Sequence, residues 1–341
     1  MREKGSDKDC VLITADLHLT DRKLDAYRWD IFLWIINQIS NRETIKEVFI
    51  LGDLTHQKNN HSADLVLRLI GELQKLAELV PVRILKGNHD YVEASQAFFS
   101  FVDSFPNIKY YSKPTKSKVL GKPAYFFPHT GNLEYSSHQK LLALKGQFEY
   151  VFVHQCFEGA NAANNHTLYG APLKYFRDLG TYLIAGDIHK PQTMGNLTYV
   201  GSPYPVAFGD DFSPRVLLLS KKGLKSVPRT APLKSSFEVA SIEELKALEL
   251  TEGDQIRIVY KTGRIDGEAW SEFKNAVAKY CDEMGVNLRS LQVSSEEVLA
   301  EDSKVSTAGN DPRQVVEAYC KENKIADSEQ SIGLELLEIE K

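Results

Sequence analysis

The chain has 341 residues, with 41 Lys and Arg against 46 Asp and Glu and a formal net charge of −5. This length predicts about two domains with ample room for a buried core, and 43% hydrophobic with 26% charged residues exclude a disordered chain. The slight acidity argues against coating nucleic acid by bulk charge, yet leaves room for a local basic groove. No apolar run approaches the about 18 residues of a membrane-spanning helix. The polar start MREKGSDKDC lacks a secretory apolar stretch, so the expected compartment is the cytoplasm, and the compact length suits a bacterial or phage-infected cell. Cys10, Cys156, Cys281 and Cys320 are far apart, which argues against disulfides or a cysteine zinc site.

In chain order, apolar runs rich in β-branched and aromatic residues begin at Cys10, Glu47, Val82, Glu149 and Thr181. Their near-continuous apolar character predicts strands buried on both faces. Asp25 to Asn41 and Ser62 to Leu79 carry helical spacing between the first three, so strand and helix alternate in an α/β domain. Arg215 onward reads as a hairpin turning at Lys222-Gly223, and Pro228 to Pro232 as a linker. From Phe237 to Ser295 a small βαβ-like unit is expected, with its helix over Glu268 to Glu283. Ser303 to Pro312 reads as a flexible connection before a final helix start at Asp311-Pro312.

Metal-ligand side chains stand where five of the apolar runs break: Asp16 and His18, Asp53, Asn88 with His89 and Asp90, His154, and Asp187 with His189. Residues two apart in a strand share a face, so Asp16 with His18, and Asp187 with His189, are expected to reach one ion. Ligands of open α/β sheets collect outside the carboxyl ends of strands. Asp16, His18, Asp53, Asn88, His154, Asp187 and His189 therefore suit two neighbouring ions, with Asp53 as the natural bridge. Oxygen and nitrogen donors without thiolates favour Mn²⁺, Fe or Zn²⁺. Two such metals activate water and clamp a phosphoryl group.

The ordered set D-x-H, G-D, G-N-H-D, H and G-x-x-H resembles the calcineurin-like metallophosphoesterases. Within them, Gly52-Asp53-Leu54-Thr55-His56 and Tyr199-Val200-Gly201-Ser202-Pro203 with Phe208-Gly209-Asp210 look like segments of the Mre11/SbcD nucleases. The resemblance implies a layered β-sandwich flanked by helices over residues 1–228, a small α+β capping domain over 229–303, and a linker with a C-terminal partner-binding segment over 304–341. It implies two Mn²⁺ ions, with Mg²⁺, Fe or Zn²⁺ as substitutes. Asp16, His18, Asp53 and His189 would hold the first, and Asp53, Asn88, His154 and Asp187 the second. His89 would be the catalytic histidine that meets the scissile phosphate and the leaving oxygen. Asp90 is expected either to support the centre or to cap a helix, and His56 either to approach the phosphate or to lie in a surface turn. The pattern departs at Asp187, where the family usually has His; a carboxylate also coordinates Mn²⁺ but adds negative charge.

The activity so implied is Mn-dependent cleavage of DNA, as exonuclease on duplex ends and endonuclease on single strands or hairpins, beside a Rad50/SbcC-like ATPase in recombination and repair. Other readings of the same residues are a phosphatase or phosphodiesterase acting on nucleotides or phosphoproteins, and a non-catalytic scaffold. Lys109, Lys113, Lys116 and Lys118, with Tyr110 and Tyr111 between, are either DNA contacts or a solvated hairpin. His61, His138 and His166 read as solvent-exposed, and His129 as a core or turn residue. Leu65, Leu69, Leu73 and Leu76, with Phe98, Phe99, Phe101 and Val102, mark helices that pack on the sheet and, by the resemblance, form a two-fold homodimer. Ile332, Leu334, Leu336, Leu337 and Ile339 are the expected ATPase-docking residues of the tail.

Overall fold

A computed structural model of the protein describes residues 8–93, 96–130, 140–163, 166–262, 267–295 and 320. The C-terminal segment expected over 304–341, including its apolar docking residues, lies outside the described residues apart from Cys320. The chain divides into two compact units, 1–260 with 271–292, and 261–270 with 293–341; the first carries every residue of the sites described below.

Its elements run β1 (Cys10–Thr14), α1 (Asp30–Asn41), β2 (Ile45–Leu51), α2 (Ala63–Leu79), β3 (Val82–Leu85), β4 (Tyr91–Glu93), β5 (Gln96–Ala97) and β6 (Ile108–Tyr111). Then follow β7 (Thr115–Val119), β8 (Lys122–Phe127), β9 (Phe148–His154), β10 (Gly180–Gly186), β11 (Gln192–Met194) and β12 (Leu197–Tyr199). The hairpin β13 (Arg215–Ser220) and β14 (Gly223–Pro228) precedes β15 (Lys234–Val239), α3 (Ile242–Lys246), β16 (Gln255–Thr262), α4 (Gly267–Met284) and β17 (Asn287–Ser295). One sheet has the order β14-β13-β1-β2-β3-β6 and a second β11-β12-β10-β9-β8-β7. β1, β2, β3 and β6 are parallel to one another, as are β8, β9, β10 and β12.

Alternation along the strands explains why both sheets read as unbroken apolar runs. Val11, Ile13, Phe49, Leu51 and Leu85 of the first sheet meet Phe126, Tyr150, Phe152 and Ile184 of the second in one core. The intervening Leu12, Val48, Ile50 and Ile84 face α1 and α2, against Phe32, Ile35, Leu65, Leu69, Leu73 and Leu76. On the far side, Val151, Val153, Leu183 and Ala185, with Tyr199 of the same sheet, pack with Phe157, Leu173 and Phe176. Every central strand is buried on both faces, and each large side chain so removed from water contributes roughly 1.5–3 kcal/mol before entropy is counted. The leucine stripe of α2 packs into this core, while Leu33 of α1 and Leu67 and Leu79 of α2 are exposed.

Ser62 starts α2 as its N-cap, its hydroxyl accepting from Leu65 N. Two expected boundaries shift. The hairpin turns at Lys221-Lys222, one residue early, because Ser220 pairs with Gly223. Within the stretch expected to link the two parts, Arg229 is buried and donates to the Pro203 carbonyl at 2.8 Å. The small βαβ-like unit begins at Lys234, three residues before Phe237, as the strand β15 beside β16 in a three-stranded sheet. No described helix is long and apolar enough to cross a membrane.

Candidate metal centre

The carboxyl ends of β1, β2, β3, β9 and β10 converge, and the residues just past them build the centre. β1 stops at Thr14, so strand alternation does not bring Asp16 and His18 together. Both are left-handed, at φ 55° and 42°, as are Asp53 at 55° and Asp187 at 86°. Such backbone costs about 1–3 kcal/mol per residue and persists only when its surroundings enforce it. Here they do: Asp16 N donates to Gly52 O at 3.1 Å, His18 N to Asp53 O at 2.9 Å, and Asp187 N to Asp16 Oδ1 at 3.0 Å. Arg28 ties the same turn down, donating to His18 O at 2.6 Å and Val206 O at 3.0 Å. His154 alone obeys alternation: it ends β9 on the face of Tyr150 and Phe152.

Two groups of ligand atoms, each mutually within 4.8 Å, share Asp53: His18, Asp53 and His89, and Asp16, Asp53 and His154. His18 Nε2 stands 3.4 Å from Asp53 Oδ2, and His154 Nε2 3.5 Å from both Asp53 Oδ1 and Asp187 Oδ1. His189 Nε2 faces His18 Nε2 at 3.1 Å. The end of the Asn88 amide that faces the centre lies 2.9 Å from His154 Nε2 and 3.0 to 3.2 Å from oxygens of Asp53 and Asp187. All seven expected ligands are therefore together, with a grouping that places His89 beside His18 and Asp53.

The donor set fits divalent cations. Asp16 Oδ2 and His18 Nδ1 are buried without a hydrogen-bond partner, and two imidazole nitrogens point at each other. Carboxylates, imidazoles and an amide crowd one space with no lysine or arginine side chain among the described residues bonded to them there, and a bound cation would balance them. Burial raises the Asp16 carboxyl, and the Asp53 carboxylate raises it further. Burial also holds His18 well below the usual imidazole range, reinforced by His189 and His89, so the ring stays neutral as a ligand must.

Supporting contacts orient the ligands. His154 Nδ1 bonds the Leu51 carbonyl at 2.7 Å, directing Nε2 inward, and His189 Nδ1 bonds Asp210 at 3.1 Å. Asp210 also accepts from Val206 N and Ala207 N. Ser202 Oγ donates to Asp16 O at 3.0 Å, and Tyr204 OH to Leu17 O. These roles of Asp210, Ser202 and Tyr204 were missed, although the Gly-Ser-Pro and Phe-Gly-Asp spellings marked the segment.

Asp90 is not a helix cap. Its buried carboxylate accepts from Gly87 N at 2.8 Å, Asp53 N at 2.9 Å and Leu54 N at 2.9 Å, clamping the turn that presents Asp53. It reaches no open space, so it is a positioning residue. Asp90→Ala would orphan three buried N–H groups, and a loss of about 3 kcal/mol or more in urea unfolding is expected. An unchanged midpoint would show that the turn holds without it.

His56 is half-buried and not in a surface turn: its carbonyl accepts from His89 Nδ1 at 2.6 Å, and its ring lies 5.6 Å from that of His18. His129, expected in the core or a turn, is half-buried just after β8 with its ring 6.3 Å from that of His154, and burial pushes it down to about 4. His61 is half-buried rather than solvent-exposed, bonding Thr55 Oγ1 at 2.7 Å. The four lysines are elsewhere. Lys109, Lys113, Lys116 and Lys118 are exposed, Lys109 pairs with Asp103 at 2.8 Å, and Lys116 bonds Gln147 at 3.0 Å. Among the described residues no polar contact joins any of the four to the centre.

A family profile described as calcineurin-like phosphoesterase matches residues 11–191. No curated protein matches the chain.

Proposed function

Because the chain belongs to the calcineurin-like phosphoesterase family, whose members hydrolyse phosphoesters at an Asp/His metal centre, we propose that it is a Mn²⁺-dependent DNA nuclease of the Mre11/SbcD type. The observation that supports this narrower reading is the segment from Tyr199 to Asp210. Its Tyr-Val-Gly-Ser-Pro and Phe-Gly-Asp spellings resemble those nucleases, and Ser202, Tyr204 and Asp210 brace Asp16, Leu17 and His189 of the centre. Asp16, His18, Asp53 and His189 would hold one cation, and Asp53, Asn88, His154 and Asp187 the other. Bound there, two divalent cations supply charge neutralisation of a phosphoryl group and a lowered pKa for water.

The remaining work falls to the chain's own side chains. His89 Nδ1 is committed to the His56 carbonyl, so it carries the proton and leaves Nε2 to address the substrate. The imidazolium form then offers an N–H to the departing oxygen. A Rad50/SbcC-like ATPase and a two-fold dimer accompany this reading on the motif resemblance alone.

Labelled duplex, single-stranded and hairpin DNA incubated with Mn²⁺ test the reading, beside bis-p-nitrophenyl phosphate and free nucleotides. Cleavage of DNA is expected; hydrolysis confined to the small esters would make the protein a phosphatase or small-molecule phosphodiesterase instead. His89→Ala is expected to lower DNA cleavage by about 10²–10⁴ with bound metal unchanged. Loss of metal in that variant would make His89 a ligand, as its grouping with His18 and Asp53 allows.

A further inference from the structure

We propose that a basic groove beside His56 is the track for the phosphodiester backbone of a nucleic-acid strand entering the centre, an inference that rests on the nuclease reading. The groove has a volume of about 510 Å³ and is lined by Arg22, Lys23, Lys234, Arg257, Arg289 and Phe208. Its cations come from distant places. Arg22 precedes and Lys23 begins the short 3-10 helix Lys23–Trp29 after β1, while Lys234, Arg257 and Arg289 stand on the neighbouring strands β15, β16 and β17. Gln255 of β16 fastens the two parts together through the Leu24 carbonyl at 2.6 Å.

Two features point to a polyanion. Five cations line the groove against one carboxylate, Asp25, which is engaged by Arg28 at 3.1 Å and by the buried Lys234 at 3.3 Å, so Arg22, Lys23, Arg257 and Arg289 are the four cations left to meet a ligand. A single phosphate needs one or two such groups, whereas successive phosphates of a strand use them all. The Arg257 guanidinium also lies 4.0 Å from the centroid of the half-exposed Phe208 ring, and Lys234 Nζ 5.5 Å from it. Stacking fixes the guanidinium plane while leaving its edge free to bond phosphate oxygens, and the ring supplies an apolar surface for a base.

Position and field agree. His56 lines the groove and holds His89 through its carbonyl, so a strand lying there would deliver a phosphodiester to the catalytic histidine. The whole chain carries −5, and against that acidic body a concentrated positive cleft focuses the field on one path. The lysines at 109 to 118 offer no comparable convergence.

Affinity for a fluorescent single-stranded 20-mer, measured in EDTA across a salt series, tests the track. The double variant Arg257→Gln with Arg289→Gln removes two phosphate contacts. Its log Kobs against log[salt] slope should fall by about 1.4, and its affinity by roughly 25-fold at 0.1 M salt. Lys113→Gln with Lys118→Gln is the comparison, and its loss should be clearly smaller. Arg257→Lys keeps the charge without the planar stack, and should fall between the wild type and the double variant. Wild-type affinity and slope in the double variant, while the wild type binds and cuts DNA, would overturn the track and leave the nuclease reading standing. A wild type that hydrolyses bis-p-nitrophenyl phosphate but neither binds nor cuts DNA would remove both.

Discussion

Asp53→Asn is expected to lower Mn²⁺-dependent phosphodiester hydrolysis at least ~10³-fold, about 4 kcal/mol of transition-state stabilisation. Asp53 is the residue common to both ligand groups, and its oxygens stand 3.4 Å from His18 Nε2 and 3.5 Å from His154 Nε2. Asparagine preserves the shape and can still accept the His89 N–H that Asp53 Oδ1 now receives at 2.8 Å. It loses the charge, and it turns an amide NH₂ toward atoms that would otherwise converge on a cation. Metal content should drop with activity, which elemental analysis after gel filtration would record. In Mn²⁺ the wild type should also melt higher than the variant, because a cation that binds only the folded chain stabilises it. A variant that keeps both its metal and more than a tenth of the activity would remove Asp53 from the bridging position.

The positions of the ligands were legible in the sequence because polar side chains that interrupt apolar strands at their carboxyl ends have few structural uses. The means by which they meet was not. Alternation along β1 was the expected device for Asp16 and His18, yet the strand ends at Thr14 and two left-handed residues bring them round. Nothing local in Asp-Leu-His specifies that turn; hydrogen bonds to the carbonyls of Gly52 and Asp53 and from Arg28, residues distant in the chain or on another element, enforce it. The same limit hid the groove. Arg22, Lys23, Lys234, Arg257 and Arg289 are scattered over the chain and converge only when the β15-β16-β17 sheet packs on the segment after β1. The dense lysines of 109 to 118 drew notice instead, but strands β6 and β7 spread them along an exposed edge of each sheet, where Lys109 turns to Asp103. Continuous apolar runs correctly signalled strands covered on both faces, and could not say that one cover would be a second sheet.

Gly52→Ala should cost roughly 3–5 kcal/mol and disable the centre. Gly52 has φ +88°, a conformation in which a Cβ costs about 1–2 kcal/mol. The larger difficulty is room. A Cβ at Gly52 would sit 2.0 Å from His154 Nδ1, 2.6 Å from its Cε1 and 2.7 Å from its Cγ. The ring cannot yield without giving up the 2.7 Å bond from Nδ1 to the Leu51 carbonyl, in a place where both groups are buried and loss of a partner costs about 1–3 kcal/mol. That bond is also what aims Nε2 at Asp53 and Asp187, so displacement of the ring dismantles one ligand group along with the fold around it. Gly71→Ala gives the comparison within the same sheet-and-helix layer. It lies inside α2 with nothing within 4 Å of a new Cβ, so the change should stabilise by about 0.5–1 kcal/mol and leave hydrolysis intact. Opposite signs in urea unfolding for the two alanines would show that the glycine before Asp53 is present for the closeness of His154 and not for chain flexibility. Equal, small effects would mean that the two sheets can part at their carboxyl ends without cost, and that the ligand geometry is held by something other than their contact.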